Sequence, residues 1–124
     1  MSQLKTPVGP DDHVQGDEDA EYTLVEYGDY ECPHCGRAYP VVKLLQRNFG
    51  RRLRFAFRNF PLTQLHPYAE SAAESAEFAG SKGKFWEMHD LLFENQAQLG
   101  NALYEALADA LGLSAVELRE ALST

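Results

Sequence analysis

Cysteine is scarce in this sequence. Only two occur among 124 residues, too few for a small domain stapled by several disulfides. Basic residues are also in deficit, 11 Lys and Arg against 19 Asp and Glu, for a formal net charge of −8. That balance favours solubility and excludes a nucleic-acid partner of the usual basic kind. No apolar run approaches the roughly 20 residues that would span a bilayer, so no direct membrane segment is expected. Met1 to His13 lacks both the basic start and the apolar stretch of a secretory signal, and the expected location is cytoplasmic.

What is present suits one domain of a size that can enclose a real core. Charge comes in blocks. Residues 1–31 carry nine acids against Lys5, residues 32–69 carry seven basic residues and no acid, and residues 70–124 carry ten acids against three basic residues. Either the blocks meet as complementary faces of one fold, or the basic block places a cationic field around residues 32–58.

Residues 1–20 are polar and punctuated by Pro7, Gly9, Pro10 and Gly16, which predicts an irregular N-terminal arm before a domain spanning 21–124. Tyr22-Thr-Leu-Val-Glu-Tyr27 is β-branched and aromatic and predicts a strand. Ala38, Val42, Leu45 and Phe49 then recur at helical spacing, with Gly50 as a stop. Leu53, Phe55 and Phe57 alternate with Arg54, Ala56 and Arg58, a second strand of period two. Strand, helix and strand in this order predict a parallel pair with a right-handed crossover. The remainder reads as helical. An alanine stripe (Ala69, Ala72, Ala73, Ala76, Ala79) suits close packing, Phe85, Met88 and Leu92 stripe a second helix, and Leu103, Leu107 and Leu111 a third. Ser114-Ala-Val-Glu117 is a capping box for a last short helix.

The chemistry lies in Cys32-Pro33-His34-Cys35, where a strand ends and a helix begins. Unpaired backbone N–H groups and the positive end of the helix dipole point there and stabilise a thiolate, the nucleophile of disulfide exchange. Pro33 suits the first helical position, His34 lies beside Cys32, and Arg37 adds to the same field. Cys35 follows one turn behind, within reach of a mixed disulfide on Cys32. The spacing in a strand–helix–strand unit reads as a redox motif that needs no cofactor. A zinc knuckle is the rival, but there is no second cysteine pair, and His34, His66 and His89 lack ligand spacing. Two inert core cysteines are the remaining alternative.

Glu26 sits six positions before Cys32 in an otherwise apolar strand, on the face opposite Val25 and Tyr27. If helices cover that face, the carboxyl is desolvated, its pKa rises, and it can take a proton from Cys35. Otherwise it is one more solvated acid. Tyr30 and Glu31 are expected to flank the cysteines as surface contacts for a partner thiol. Trp86 and His89 are expected in the core, and His66 in a helix cap or loop.

Thr23-Leu-Val-Glu-Tyr-Gly-Asp-Tyr-Glu-Cys-Pro-His-Cys35, with Pro40 beyond it, resembles the DsbA-like thiol–disulfide oxidoreductases of the thioredoxin superfamily. Arg58-Asn-Phe-Pro-Leu62, His66-Pro67 and Lys84-Phe-Trp-Glu-Met-His-Asp-Leu-Leu92 resemble further segments of that branch, so the likeness covers about residues 10–122. It is similar both to stand-alone cytosolic members and to domains attached to some bacterial sodium/proton antiporters. The resemblance implies an α/β thioredoxin-like fold with a helical insertion. It also implies that Cys32 attacks, Cys35 resolves and Glu26 occupies the buried-acid position. Partners would be protein or small-molecule thiols and disulfides, and Pro-His between the cysteines belongs to strongly oxidising members. Family members continue into a cis-proline loop, a β-hairpin and a final helix. No proline follows Pro67 here, so a C-terminally truncated version is expected. Its uncovered strand edge predicts self-association, a homodimer being the simplest form. The function expected is disulfide exchange; the alternative is a non-catalytic, redox-sensitive binding module on the same fold.

Overall fold

The computed structural model describes residues 6–123. Three strands form one mixed sheet: β1 (His13–Gln15), β2 (Tyr22–Gly28) and β3 (Leu53–Asn59), in the order β1-β3-β2. β2 runs parallel to β3, with Leu24 opposite Phe55 and Glu26 opposite Phe57. The connection between them is α1 (Pro33–Phe49), followed by a 3-10 turn over Gly50–Arg52. Pro33 opens this helix as expected, and Gly50 closes it at φ 52°, a left-handed conformation that glycine adopts without steric cost. Pro40 lies inside α1 and withholds one N–H from its ladder.

The expected irregular arm is corrected in part. His13–Gln15 pairs antiparallel with β3, placing Val14 opposite Ala56. Arg58 on β3 grips the residue just before that strand, its Nε and terminal N–H donating to the two Asp12 carboxylate oxygens at 2.7 and 3.0 Å. This holds the Asp12 carboxyl down at about 2. Acids in the lead-in thus meet the basic block, as complementary faces of one fold would.

The second half packs four helices against one sheet face: α2 (Ala69–Ser81), α3 (Phe85–Glu94), α4 (Asn101–Ala110) and α5 (Ala115–Ser123). All five alanines of the expected stripe are buried on α2. Small side chains there let α3 and α5 approach closely. Glu117 N–H donates to Ser114 Oγ at 3.1 Å, capping α5. Phe55 and Phe57 project from β3 into a cluster with Tyr30, Met88, Leu92 and Phe93. Each fully buried aromatic contributes about 1.5–3 kcal/mol of transfer free energy, so this cluster locks the sheet to the helices. The other sheet face is polar: Arg54 donates to Thr23 Oγ1 and Arg58 to the Tyr27 hydroxyl. Ala56 is nonetheless fully buried on that side, because β1 lies beside it.

No side chain of α1 is fully buried, and Val41, Leu44 and Phe49 on it are exposed. β2 is an edge strand of the sheet, with Tyr22 and Tyr27 exposed along it. Among the described residues, no helix is long and apolar enough to cross a membrane.

Candidate functional site

The two cysteines bracket the first turn of α1. Cys32 is its N-cap, in extended conformation, with no side chain capping the helix from that position. Both thiols are free and partly exposed. The first-turn N–H groups therefore have no side-chain acceptor from the N-cap and are available to a sulfur anion.

Burial pushes the Cys35 thiol up to about 11, and the neighbouring Cys32 and Glu26 charges push the same way, while the Asp29 backbone opposes them. At neutral pH Cys35 is therefore held as the thiol. Glu26 lies in the same groove, an opening of about 400 Å³ that Leu24, His34 and Ala38 also line. Desolvation raises the Glu26 carboxyl above its ordinary range, as expected for a face that helices cover. A carboxyl and a thiol, both with raised pKa, line one groove.

His34 is exposed and paired with Arg37, whose terminal N–H donates to His34 Nδ1 at 2.7 Å. A guanidinium only donates, so Nδ1 supplies its lone pair and the ring carries its proton on Nε2 in this arrangement. His34 thus lines the groove with the Arg37 guanidinium behind it.

Tyr30 corrects an expectation. It is fully buried, not a surface contact, and its hydroxyl lies 2.9 Å from Nδ1 of the buried His89. His89 is the core histidine expected, ringed by Phe57, Phe85, Trp86 and Phe93. Trp86 packs beside Phe55 and Phe85. Glu31 stays partly exposed, its Oε1 accepting the Tyr68 N–H at 2.7 Å.

His66 lies in the loop before α2, one of the two places expected for it. It caps no helix; its Nδ1 donates to Asp29 Oδ2 at 2.7 Å. Asp29 is itself buried and also accepts the N–H groups of Glu31 (2.8 Å) and Leu62 (3.0 Å). Burial alone would raise the Asp29 carboxyl, but His66 and these two N–H groups outweigh it and hold it below its ordinary value. Asp29 therefore ties the turn before Cys32 to the loop after β3. The residues missed from the sequence are Asp29, as this tie, and Gln96, whose side chain reaches the same turn from beyond α3. Asp29, three residues before a cysteine in a segment already marked as chemical, was the one with a local signal. Among the described residues, no group of three or more His, Cys, Asp and Glu side chains is placed to hold a metal ion.

Comparisons with known proteins bear on this arrangement. The family model described as thioredoxin matches residues 9–124. The chain is 50% identical over 121 residues to the Na(+)/H(+) antiporter NhaA 1 of Salinispora arenicola, covering 97% of the chain and 18% of the antiporter. It is 40% identical over 111 residues to the Na(+)/H(+) antiporter NhaA of Herminiimonas arsenicoxydans, covering 89% of the chain and 17% of that protein. The chain thus spans less than a fifth of the length of these curated relatives. Among solved structures, it resembles a thioredoxin-like oxidoreductase from Silicibacter pomeroyi, with TM-score 0.81 and 27% identity, covering 94% of this chain and 65% of that one. It also resembles oxidised BdbD from Bacillus subtilis, with TM-score 0.79 and 28% identity, covering 89% and 64%. The chain belongs to the thioredoxin family, and its fold is that of the DsbA-like thiol–disulfide oxidoreductases.

Proposed function

We propose that this chain exchanges disulfides with protein or small-molecule thiols through Cys32 and Cys35. The observation that carries the reading is the pairing of a thiol held at about 11 with a desolvated carboxyl in one groove, directly behind a cysteine at a helix N-cap. In the reducing direction, the Cys32 thiolate attacks one sulfur of a substrate disulfide. The sulfur–sulfur bond breaks, one substrate thiolate leaves, and Cys32 holds the other half as a mixed disulfide. Glu26 then takes the Cys35 proton, and the Cys35 sulfur attacks Cys32. The second substrate thiolate leaves, and the protein retains an intramolecular disulfide. Two electrons have passed to the substrate, and the reverse sequence oxidises a dithiol.

The test is equilibration in glutathione buffers of graded potential, with alkylation of remaining thiols and weighing of the intact chain. A single reversible transition, Cys32 and Cys35 changing together, is the expected result, and its midpoint sorts oxidant from reductant. Thiols that stay reduced throughout would overturn the assignment.

The edge of β2, which has no strand beside it among the described residues, favours a second reading, a redox-sensitive binding module. Grooves of about 200 and 400 Å³ run along that edge where it meets α1. An apolar edge strand invites pairing with another chain. Self-association through β2 is therefore expected, as a dimer at micromolar concentration in sedimentation velocity. A well-folded monomer under those conditions would remove this expectation while leaving the chemistry intact.

A further inference from the structure

Gln96 lies in a 3-10 turn after α3 (Gln96–Gln98), and its sequence neighbourhood carries no motif. Its side-chain amide nevertheless donates two hydrogen bonds into the redox turn, to the Tyr30 carbonyl at 2.9 Å and the Cys32 carbonyl at 2.8 Å. The Cys32 carbonyl also accepts the Gly36 N–H at 3.0 Å, the first bond of α1. Within the turn, Cys32 N–H donates to the Asp29 carbonyl at 3.1 Å. The peptide groups on both sides of Cys32 are thus held, one by the turn itself and the other by a side chain 64 residues away.

Gly36 leaves room for this contact. A Cβ built on Gly36 would stand 2.3 Å from Gln96 Oε1, so any larger residue there displaces the carboxamide. Because that atom is the far end of a flexible side chain, the displacement is sterically cheap and the helix itself is spared. In a helix alanine is otherwise more favourable than glycine.

We infer that Gln96 is a positioning residue for disulfide exchange: its carboxamide fixes the peptide of Cys32 against the first turn of α1, so that the sulfur faces the free N–H groups there. This inference rests on the exchange reading. Loss of the clamp takes the Gln96 donor from the Tyr30 carbonyl, leaves the Cys32 carbonyl with the Gly36 N–H alone, and loosens the turn. The thiolate is then less well solvated by the helix, and the reduced protein loses more than the oxidised one.

Two variants reach the clamp by different routes, Gln96→Ala by removing it and Gly36→Ala by pushing it aside. The first measurement is the equilibrium of the full chain with glutathione. Each variant is expected to shift the equilibrium constant roughly fivefold toward the protein disulfide, the scale of a lost pair of ordinary hydrogen bonds only partly felt at the sulfur. The Gln96→Ala/Gly36→Ala double variant should shift no further than either single one, because both act through one contact. The second measurement follows alkylation of Cys32 against pH in chains carrying Cys35→Ser, where the profile should move to higher pH in both variants. This readout does not require a working redox couple. Absence of a wild-type transition with glutathione would refute the exchange reading, whereas the alkylation profiles still decide the clamp.

A purely structural role makes a different pattern. Gln96→Ala would then lower the melting temperature without moving either profile, and Gly36→Ala would leave the chain as stable as before or more so, again with both profiles unchanged. Either result, or a double variant that shifts by the product of the two singles, overturns the inference.

Discussion

Replacing Cys32 with serine is expected to abolish disulfide exchange, and replacing Cys35 with serine to stop it halfway. In the Cys35→Ser chain, Cys32 still attacks, but nothing resolves the product, and the mixed disulfide accumulates as a mass equal to protein plus one substrate half. Glu26→Gln separates the roles further. Cys35 is held at about 11, so without a base its attack must wait for the rare thiolate. General acid–base assistance is worth roughly 10²–10⁴-fold, and the lower end suits a thiol, which is intrinsically the more acidic kind of nucleophile. Release of the mixed disulfide in Glu26→Gln is therefore expected to slow about 10²-fold at pH 7. In the wild-type protein, release should quicken as pH rises through the raised Glu26 value, since only the carboxylate accepts a proton. The variant, left with the rare thiolate alone, should instead quicken about tenfold per pH unit across the whole range, with no inflection at the Glu26 value. Stopped-flow mixing with a fluorescent disulfide, followed from pH 5 to 9, measures both limbs. Equal rates and equal profiles in the two proteins would remove Glu26 from the mechanism. Binding of a partner that survives Cys32→Ser would favour the module reading.

Stability should fall steeply in mild acid, and His89 is the cause. Burial among aromatic rings depresses this imidazole to about 3, helped by the Lys43 and His13 charges. In the unfolded chain it titrates near 6.5. Below that pH the unfolded state binds a proton that the folded state refuses, so its contribution is complete above about 6.5 and is lost as pH falls toward 3. The slope approaches about 1.4 kcal/mol per pH unit within that window, a large share of the 5–15 kcal/mol available to a typical domain. Urea unfolding at pH 7.5, 6 and 4.5 reads it directly. The comparison stops at pH 4.5 because Asp29 and Asp12, both held below their ordinary values, add losses of their own in stronger acid. His89→Asn keeps a polar partner for the Tyr30 hydroxyl and cannot be protonated. It should be less stable at pH 7.5 yet nearly flat across the window. A variant with the wild-type slope would show that His89 is not the titrating group.

Much of the architecture was legible in the chain. Alternation over Leu53–Arg58 identified β3, and alternation in β2 put Glu26 on the face opposite Val25 and Tyr27, but whether helices cover that face was left to the tertiary structure. The alanine stripe announced α2. The segment around Tyr30 misled because a residue between a strand and a cysteine pair belongs to neither period. An aromatic there faces water or core according to what is packed beneath it, which here is α3. The lead-in misled for a related reason. Three residues of strand are too few to show alternation, and His13–Gln15 pairs because β3 offers a free edge and Arg58 holds Asp12.

The sequence alone determined the strand–helix–strand unit, the helix-capping position of Cys32 and the proximity of Cys35. Each of these depends on neighbours within a few residues, where backbone geometry leaves little choice. Tertiary structure alone decided how the dithiol is held. Asp29 meets His66 across 37 residues and Gln96 meets Tyr30 across 66, and neither pair has a periodicity to betray it. Such contacts exist only after apolar burial has brought the helices onto the sheet, because that packing fixes which polar side chains face the redox turn.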